Sequence, residues 1–315
     1  IEAAARGLAP QLTGDELVIL ESTSPPGATE PMAAVIREAR PDLDGVTLDF
    51  AHCPERVLPG RVMIELVTND RIVGGSTPEA AQRAKQLYET FCQGEILVTD
   101  CVTAEMAKLV ENSFRDVNIA FANELSLICS DLGIDVWELI ELANHHPRVN
   151  ILQPGPGVGG HCIAVDPWFI VDAAPQTARI IRAAREINDG KPKWVVDQAK
   201  AAAFDVQQAT GRAPVVAVLG LAFKPNIDDL RESPALNIAT EVAQQFTGSR
   251  ILVVEPHVEE LPAALAGRDN VELVPAEDGI READVVLLLV DHDAFASLGT
   301  TTEGKKVIDT RGQWR

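Results

Sequence analysis

Long apolar runs and basic residues are both scarce in this sequence. No uninterrupted apolar run approaches the ~20 residues of a membrane-spanning helix, and no basic segment followed by a short apolar stretch resembles a signal peptide. The 27 Lys and Arg residues are outnumbered by 47 Asp and Glu residues, which gives a formal net charge of -20. Because this charge repels nucleic acid and anionic membrane surfaces, neither is expected as a partner, and any anionic ligand requires a local cationic pocket.

Cysteines are few and widely spaced. They include no CxxC pair, so the sequence predicts neither a disulfide framework nor a structural zinc site, and no metal is expected. Free thiols are typical of a reducing compartment, which favours a cytoplasmic protein. The five cysteines are Cys53, Cys92, Cys101, Cys129 and Cys162.

The composition is that of an ordinary globular protein. Of the 315 residues, 46% are hydrophobic and 23% are charged, which excludes disordered, collagen-like and coiled-coil chains. The length corresponds to about two domains at ~150 residues each. The first residue is Ile1 rather than Met, which indicates a processed N-terminus or a fragment.

The first hundred residues alternate between short apolar runs and amphipathic stretches, as βα units do. Strands are predicted at Glu16 to Glu21, Val46 to Ala51 and Ile96 to Thr99, and helices at Ala28 to Ala39 and Pro78 to Phe91. This pattern predicts part of a parallel sheet.

The middle third of the sequence is predicted to be helical. The segment from Thr103 to Leu132 contains no Pro and no Gly, and it predicts one helix of roughly eight turns. A second helix is expected from Asp135, and a third from Thr177 to Ala203, interrupted near Gly190 and Pro192.

The last third returns to alternating strands and helices. A polar Gly- and Pro-containing segment, Gln207 to Pro214, indicates a domain boundary, and the apolar runs after it predict a doubly wound α/β sheet. We therefore expect an α/β protein with a partial Rossmann-like sheet, a central helical region and a C-terminal Rossmann-like domain. The predicted domains span residues 1–102, 103–206 and 207–315.

A glycine-rich stretch, NILQPGPGVGGHCIAVDPW, begins at Asn150. Gly155, Gly157 and Gly160 satisfy GxGxxG, but a dinucleotide fingerprint requires a strand immediately before it and a helix that opens at its last glycine. This stretch has prolines within it and helices upstream. The glycines instead predict a loop whose backbone approaches a ligand closely.

The residues that follow these glycines include His161, Cys162 and Asp166. An isolated cysteine is most often a small buried hydrophobe, but a thiol on a glycine loop near a carboxylate is a candidate nucleophile. A metal site built on His161 and Cys162 has little support, because no further ligands occur at useful spacing.

Five motifs in order resemble the UDP-glucose/UDP-mannosaminuronate dehydrogenase family, and a sixth resembles its C-terminal motif. The motifs are spread from residue 21 to residue 311, so the resemblance extends over essentially the whole chain. The motifs are ESTSPPGAT from Glu21, CPERVLPG from Cys53, KLVEN from Lys108, PGPGVGGHCIAVDPW from Pro154, GLAFKPNIDDLRESP from Gly220 and IDTR from Ile308.

The resemblance implies oxidation of the C6 alcohol of a UDP-sugar to a carboxylate, with two NAD and one water. Cys162 matches the family's nucleophile, which forms a thiohemiacetal and then a thioester. Asp166 matches the carboxylate that works with Thr23 to position a water, and Thr23 also belongs to the cofactor site. Lys108 matches the lysine that stabilises the alkoxide and oxyanion. Glu55 matches the glutamate of thioester hydrolysis.

Asn112 lies four residues after Lys108, so both project from one face of a helix, and Glu105 and Arg115 extend this polar stripe. Without the motif match, a solvated helix face is an equally good interpretation. The glucose-specific branch carries a second glutamate where this chain has Pro59, so a role for that second carboxylate is not expected here.

The resemblance also assigns ligand-binding residues. Lys224 and Arg311 match residues that contact the UDP-sugar, and Arg231 matches an arginine that reaches the NAD pyrophosphate. These three would supply the cationic pocket. Asn150 is expected to orient the glycine loop or contact the sugar, and the backbone of Gly159 and Gly160 to approach the substrate.

The cysteine loop GVGGHCIAVDP is similar to the branch of the family that acts on 2-acetamido sugars. This implies UDP-N-acetyl-D-mannosamine as the substrate and its uronate as a precursor of bacterial surface polysaccharide. UDP-N-acetylglucosamine and UDP-glucose remain alternatives, because an epimer is distinguished by a few polar contacts that a sequence does not place.

The family begins with a Rossmann unit whose GxGxxG follows the first strand, and comparison with the family places that unit before Ile1. We therefore expect a fragment that lacks the family's first hundred or so residues and binds UDP-sugar better than NAD. A UDP-sugar-binding protein without the cofactor half is a third interpretation. The resemblance also implies a homodimer, because the family's long central helix, which here begins at Thr103, packs against its symmetry mate and makes the helical region a dimerisation region. Lys191 and Lys193 lie near where the family donates a basic residue across its interface, but the local pattern differs.

Overall fold

The computed structural model describes residues 1–57, 60–160 and 162–315. The chain divides into two compact units. Unit 1 comprises Ile1–Phe114 and Asp166–Arg179, and unit 2 comprises Arg115–Val165 and Ile180–Arg315. The α/β class predicted from the sequence is confirmed. The described helices are Glu2–Leu8 (α1), Thr29–Ala39 (α2), Val62–Thr68 (α3), Pro78–Glu89 (α4), Cys101–Leu132 (α5), Val136–Asn144 (α6), Asp166–Ala173 (α7), Arg179–Thr210 (α8), Pro234–Gln245 (α9) and Ala276–Glu282 (α10). The described strands are Leu17–Leu20 (β1), Asp49–His52 (β2), Arg71–Gly75 (β3), Ile96–Asp100 (β4), Val216–Leu219 (β5), Ile251–Val254 (β6), Val271–Leu273 (β7), Val285–Leu288 (β8) and Lys306–Asp309 (β9).

Unit 1 is built on a four-stranded sheet of order β1-β2-β3-β4. Alternate residues of β2 face opposite sides, as the strand period of two requires. Phe50 packs with Met32 and Ile36 of α2, and Ala51 packs with Tyr88 of α4. The sheet is therefore covered by helices on both faces.

The expectation that this sheet is parallel is confirmed for the two outer pairs and wrong for the central one. β1 pairs with β2, and β3 with β4, in parallel, but β2 pairs with β3 in antiparallel register through two residues, Ala51↔Gly75 and His52↔Gly74. This short overlap brings the carboxyl ends of the four strands together. The strand β3 was missed because its sequence RIVGG ends on two glycines, which are depleted in strands.

Unit 2 is built on a five-stranded parallel sheet of order β7-β6-β5-β8-β9. Counted from β5, this is the order 3-2-1-4-5, which follows the doubly wound pattern 3-2-1-4-5-6 and agrees with the predicted doubly wound sheet. Each residue of β5, β6 and β8 is buried. Val216 and Val218 face one apolar cluster, and Ala217 and Leu219 face a second cluster on the other side. The apolar runs in the sequence therefore correspond to strands covered on both faces.

The two longest helices each contain 32 residues. At 1.5 Å per residue each is about 48 Å long. The predicted interruption of α8 near Gly190 and Pro192 is wrong, because α8 continues through both residues. Pro192 removes the amide that would donate to the Asn188 carbonyl, but the turns after it bury residues such as Val195 and Val196 in the unit 2 core.

The end of α8 falls inside the segment predicted as a domain boundary. α8 ends at Thr210, and Gly211 adopts a φ of +73, the left-handed conformation that commonly ends helices. The division of the chain into three domains, at residues 102 and 206, stays a prediction.

None of the helices in the described parts of the chain combines the length and apolar character that a membrane span requires.

Candidate active site

The glycine-rich loop of unit 2 is irregular backbone rather than a dinucleotide fingerprint. The helix α6 ends upstream at Asn144, residues 149–155 form no strand, and the next helix begins only at Asp166. A strand before the first glycine and a helix at the last one are both absent from the described residues here. The rejection of GxGxxG as a nucleotide motif is therefore consistent with the fold.

Close packing explains the glycines of this loop. Gly157 and Gly160 have φ values of +150 and +85. A Cβ at Gly157 would lie 2.9 Å from the Cβ of Pro234, and one at Gly159 would lie 2.6 Å from the carbonyl oxygen of Glu232. At Gly157 both the backbone conformation and the close approach require glycine, at Gly159 the approach does, and at Gly160 the conformation does. Two of the sequence motifs, the cysteine loop and the segment that ends at Pro234, are thus packed together in unit 2.

Cys162 differs from the other cysteines in its accessibility. All five cysteines are free, and Cys162 is exposed, whereas Cys53 and Cys129 are buried and Cys92 and Cys101 are half-buried. Burial raises the pKa of the Cys53 and Cys129 thiols and raises that of Cys101 to about 11. These three thiols are therefore poor nucleophiles near neutral pH, and Cys162 is the accessible thiol of the set. His161 lies outside the described residues.

Lys224 and Arg311 line one cavity of about 100 Å³ together with Gly157 of the cysteine loop. The Arg311 guanidinium forms an ion pair with Asp291, with Nε 2.7 Å from Oδ1, and packs against Gly155, whose Cβ would lie 2.7 Å from Nη1. Two of the residues predicted to contact the UDP-sugar, Lys224 and Arg311, therefore line one cavity with Gly157 of the cysteine loop.

The expected cationic pocket is only partly free of carboxylates. Arg311 is paired with Asp291, and Arg231 is paired with Asp229 at 2.7 Å. Lys224 forms no ion pair within the described residues, and its Nζ lies 5.3 Å from the centre of the Phe223 ring. Of these three predicted cations, Lys224 is therefore the one whose charge no carboxylate of the described residues offsets, and it is available for an anionic ligand.

The start of the cysteine loop is held by Asn144 rather than by Asn150. The Asn144 side chain accepts a hydrogen bond from the Ile151 amide at 2.7 Å and donates one to the Ile151 carbonyl at 3.0 Å. Asn150 is exposed. The proposed contact of Asn150 with the sugar stays a prediction.

In unit 1, Asn112 and Asp166 form a buried pair. Asn112 Nδ2 donates to Asp166 Oδ2 at 2.5 Å. Burial raises the pKa of the Asp166 carboxyl, although the Asn112 hydrogen bond and the positive charge of Lys108 act in the opposite direction. Three of the predicted catalytic residues therefore influence one another directly.

The loop after β1, which contains Thr23, is attached to the beginning of α5 through Glu105. The buried Glu105 carboxylate accepts hydrogen bonds from the Gly27 amide at 2.5 Å, the Thr29 amide at 2.8 Å and the Thr29 hydroxyl at 2.6 Å. Thr23 is half-buried in this loop. The sequence placed Glu105 on a polar stripe but did not show that it anchors the loop. Arg115, at the other end of that stripe, is exposed in unit 2.

Glu55 follows β2 as Thr23 follows β1. The Glu55 amide donates to the Glu21 carbonyl at 3.2 Å, so the two chain segments run side by side. Its Oε1 accepts from the amides of Arg56 and Val57. Pro59, the predicted departure from the family pattern, lies outside the described residues.

The residues at this edge of the sheet fit a nicotinamide dinucleotide. Open α/β sheets bind such ligands beyond the carboxyl ends of parallel strands, and the parallel pair β1 and β2 is followed here by the loop that contains Thr23, whose backbone Glu105 fixes. The Lys108 ammonium, one turn after Glu105 on α5, adds the positive charge that a phosphate or alkoxide requires.

Three family models match the chain in order. They describe the UDP-glucose/GDP-mannose dehydrogenase family and correspond to its NAD binding domain over residues 1–92, its central domain over residues 102–190 and its UDP binding domain over residues 217–315.

Individual relatives agree with these models. The chain is 59% identical over 322 residues to an NDP-N-acetyl-D-galactosaminuronic acid dehydrogenase of Ralstonia solanacearum, covering 100% of this chain and 74% of that protein. It is 57% identical over 326 residues to the UDP-N-acetyl-D-mannosamine dehydrogenase of Escherichia coli (strain K12), covering 100% and 77%. The solved structure of a UDP-D-ManNAc dehydrogenase from Pyrococcus horikoshii matches with a TM-score of 0.84 and 38% identity, covering 100% of this chain and 73% of that one.

The family predicted from the sequence motifs and the predicted NAD cofactor are thus confirmed. With 59% identity across its whole length, the chain belongs to the UDP-glucose/GDP-mannose dehydrogenase family and is a UDP-sugar dehydrogenase that uses NAD.

Proposed function

We propose that this dehydrogenase oxidises C6 of UDP-N-acetyl-D-mannosamine to the carboxylate by a four-electron reaction with Cys162 as the nucleophile. The observation that carries the proposal is the exposed Cys162 thiol on a glycine loop that also lines the cavity of Lys224 and Arg311. The named 2-acetamido-sugar relatives support the choice of sugar.

The chemistry follows from the residue types. NAD, when bound, accepts a hydride from C6 in each of the two oxidations. Lys108 stabilises the alkoxide, while Asp166 and Thr23 hold the water that takes the hydroxyl proton. The Cys162 thiolate adds to the aldehyde carbon, and the thiohemiacetal becomes a thioester when it loses the second hydride. Glu55 activates the water that breaks the C–S bond and releases the uronate.

Ligand binding is assigned to the residues that the motifs single out. The UDP-sugar is held by Lys224, by Arg311 and by Asn150, with the backbone of Gly159 and Gly160 close to it. Arg231 is assigned to the NAD pyrophosphate, for which it must exchange its exposed ion pair with Asp229. Asn112 positions Asp166 through their hydrogen bond.

A nucleotide sugar of N-acetyl-D-galactosamine, which differs from N-acetyl-D-mannosamine in configuration at C2 and C4, is a second candidate. The Ralstonia relative named for N-acetyl-D-galactosaminuronic acid is 59% identical, and the relatives named as UDP-N-acetyl-D-mannosamine dehydrogenases are 56–58% identical, so overall similarity does not separate the two sugars. Both sugars carry a 2-acetamido group, and they differ in the configuration of that group at C2 and of the hydroxyl at C4, which an enzyme distinguishes by a few polar contacts.

The test is the amount of NADH formed per sugar with a panel of UDP-N-acetylmannosamine, UDP-N-acetylgalactosamine, UDP-N-acetylglucosamine and UDP-glucose. We expect two NADH per UDP-N-acetylmannosamine, and loss of the second one in Cys162→Ser. If only another sugar is oxidised, the proposed mechanism stands and the assignment of UDP-N-acetylmannosamine as the substrate is wrong. No turnover with any of them would favour a UDP-sugar-binding role.

We further propose a cytoplasmic homodimer that supplies a uronate for bacterial surface polysaccharide. Five free cysteines are consistent with a reducing compartment. Exposed apolar side chains recur every seven residues along α5, at Phe114, Phe121 and Ile128, and a helix face of this kind is usually covered by a partner.

A further inference from the structure

Four polar side chains form a continuous buried group between α5 and α8 in unit 2. Asp116 and Asn123 on α5 are fully buried, and Arg185 and Asn188 on α8 are each 1% exposed. Asn188 Nδ2 donates to Asp116 Oδ1 at 2.8 Å, and Arg185 Nη1 donates to the same oxygen at 2.6 Å. Asn123 Nδ2 donates to Asn188 Oδ1 at 2.9 Å. We call this set the α5–α8 polar network.

A network of this kind is not the most stable filling for the space between two helices. Burying a charge pair and two amides requires desolvation of every polar atom, and well-packed apolar residues of similar volume are often as stable or more so. Because stability alone does not explain the network, its role is sought in what it positions. The contacts that it makes outside the two helices indicate this.

The network contacts the cysteine loop on both sides of Cys162. Asn123 Oδ1 accepts a hydrogen bond from the Gly155 amide at 2.9 Å, at the start of the loop. Arg185 Nη1 reaches the Ile163 carbonyl at 3.5 Å, immediately after Cys162. The Gly155 amide also fixes the orientation of the Asn123 side chain, because only its oxygen can accept that proton, which leaves Nδ2 for Asn188.

We propose that the α5–α8 polar network positions Cys162, by fixing the two ends of its loop to two long helices. The proposal rests on the assignment of Cys162 as the nucleophile. A loop that contains Gly157 and Gly160 at positive φ has little intrinsic rigidity, so its geometry depends on such anchors. A nucleophile displaced by about 1 Å loses about 100-fold in rate.

A neighbouring contact between the same helices offers a matched control. Lys191 Nζ on α8 donates to Ser126 Oγ on α5 at 2.5 Å, and Ser126 is also buried. Within the described residues this pair forms no hydrogen bond with the cysteine loop. Ser126→Ala therefore removes a buried contact between α5 and α8 without removing an anchor of the loop.

The experiment compares Asn123→Leu and Asn188→Leu with Ser126→Ala in the full chain. We measure kcat and KM for the UDP-sugar, and the pH dependence of Cys162 alkylation by iodoacetamide, followed by peptide mass spectrometry. Asn123→Leu is expected to lower kcat about 100-fold with KM within about threefold of wild type, and to shift the pH profile of alkylation. Asn188→Leu should also lower kcat and shift the pH profile of alkylation, because Asn188 holds Asn123 although it donates no hydrogen bond to the described part of the loop itself.

The expected result for Ser126→Ala is an unchanged kcat and an unchanged alkylation profile, even with a lower Tm. Equal effects of Ser126→Ala and Asn123→Leu, or an unchanged alkylation profile in both asparagine variants, would overturn the positioning role. If Asn123→Leu does not fold, Asn123→Ser removes the amide oxygen with a smaller change and gives the same comparison. Full activity of Cys162→Ser would instead overturn the proposed function, so the two failures are distinguishable.

Discussion

At the residue scale, the buried Asp166 carboxylate lowers the stability of the fold at neutral pH, although the proposed reaction requires it. The raised pKa of its carboxyl results from burial, against the Asn112 hydrogen bond and the Lys108 charge. A carboxyl whose pKa is higher in the folded state contributes stability below its unfolded pKa, and this contribution is lost as the pH rises through the folded value. At neutral pH the wild-type chain therefore bears the cost of a buried carboxylate.

Asp166→Asn is accordingly expected to raise Tm at neutral pH, with the difference from wild type disappearing below about pH 4, and to lower kcat by about 100-fold or more. Thermal unfolding of both proteins across this pH range measures the effect. Asp197→Asn on α8 is the control, because hydrogen bonds from Lys193 and Lys200 lower the pKa of Asp197 and reverse the sign. A Tm difference that does not change with pH would contradict the prediction.

Motifs in the sequence located candidate residues better than they located the partners of those residues. The motifs singled out Cys162, Lys224 and Arg311 as candidate site residues, and the structure places all three in unit 2, with Lys224 and Arg311 at one cavity. The aspartate that pairs with Arg311 lies 20 residues away in sequence, and Asn123 lies 32 residues from the amide it anchors. Such pairs depend on packing between elements, which no local pattern encodes.

At the element scale, predictions succeeded where one physical effect dominated. The helix α5 and the buried strands β5, β6 and β8 have uniform patterns that tertiary contacts reinforce. The predicted break in α8 was wrong because burial of its later turns outweighs the local cost of Pro192. Local propensity and long-range packing disagree there, and the packing prevails.

The attachment of the β1 loop to α5 is an element-scale feature with a measurable cost. In Glu105→Gln one carboxylate oxygen becomes an amide group that faces the Gly27 amide, so a donor opposes a donor in a buried place. We expect the free energy of unfolding to fall by about 2 kcal/mol, measured by urea denaturation.

Glu111→Gln on the same helix is the matched control. Glu111 pairs with Arg56 at 2.6 Å, but its side chain is 38% exposed, so its loss should change the free energy of unfolding by about 0.5 kcal/mol or less. Equal effects of the two variants would show that Glu105 contributes only as a surface charge.

At the scale of the whole molecule, the charge and the apolar surface act in opposite directions on self-association. A formal net charge of -20 drives two copies apart, and this repulsion weakens as salt is added. The α5 stripe of Phe114, Phe121 and Ile128 would bury apolar surface in a dimer, which salt does not weaken. A dimer built on this stripe should therefore be tighter at high ionic strength than at low.

Phe121→Glu tests the stripe directly. A two-fold interface places the same patch on both protomers, so this variant introduces two carboxylates into one apolar contact. We expect a monomer at micromolar concentration in sedimentation velocity, where the wild type is a dimer. Phe204→Glu on α8 is the control, because Phe204 is 61% exposed and lies off the stripe, and it should leave the dimer intact. A Phe121→Glu dimer as tight as wild type would place the interface elsewhere on the chain.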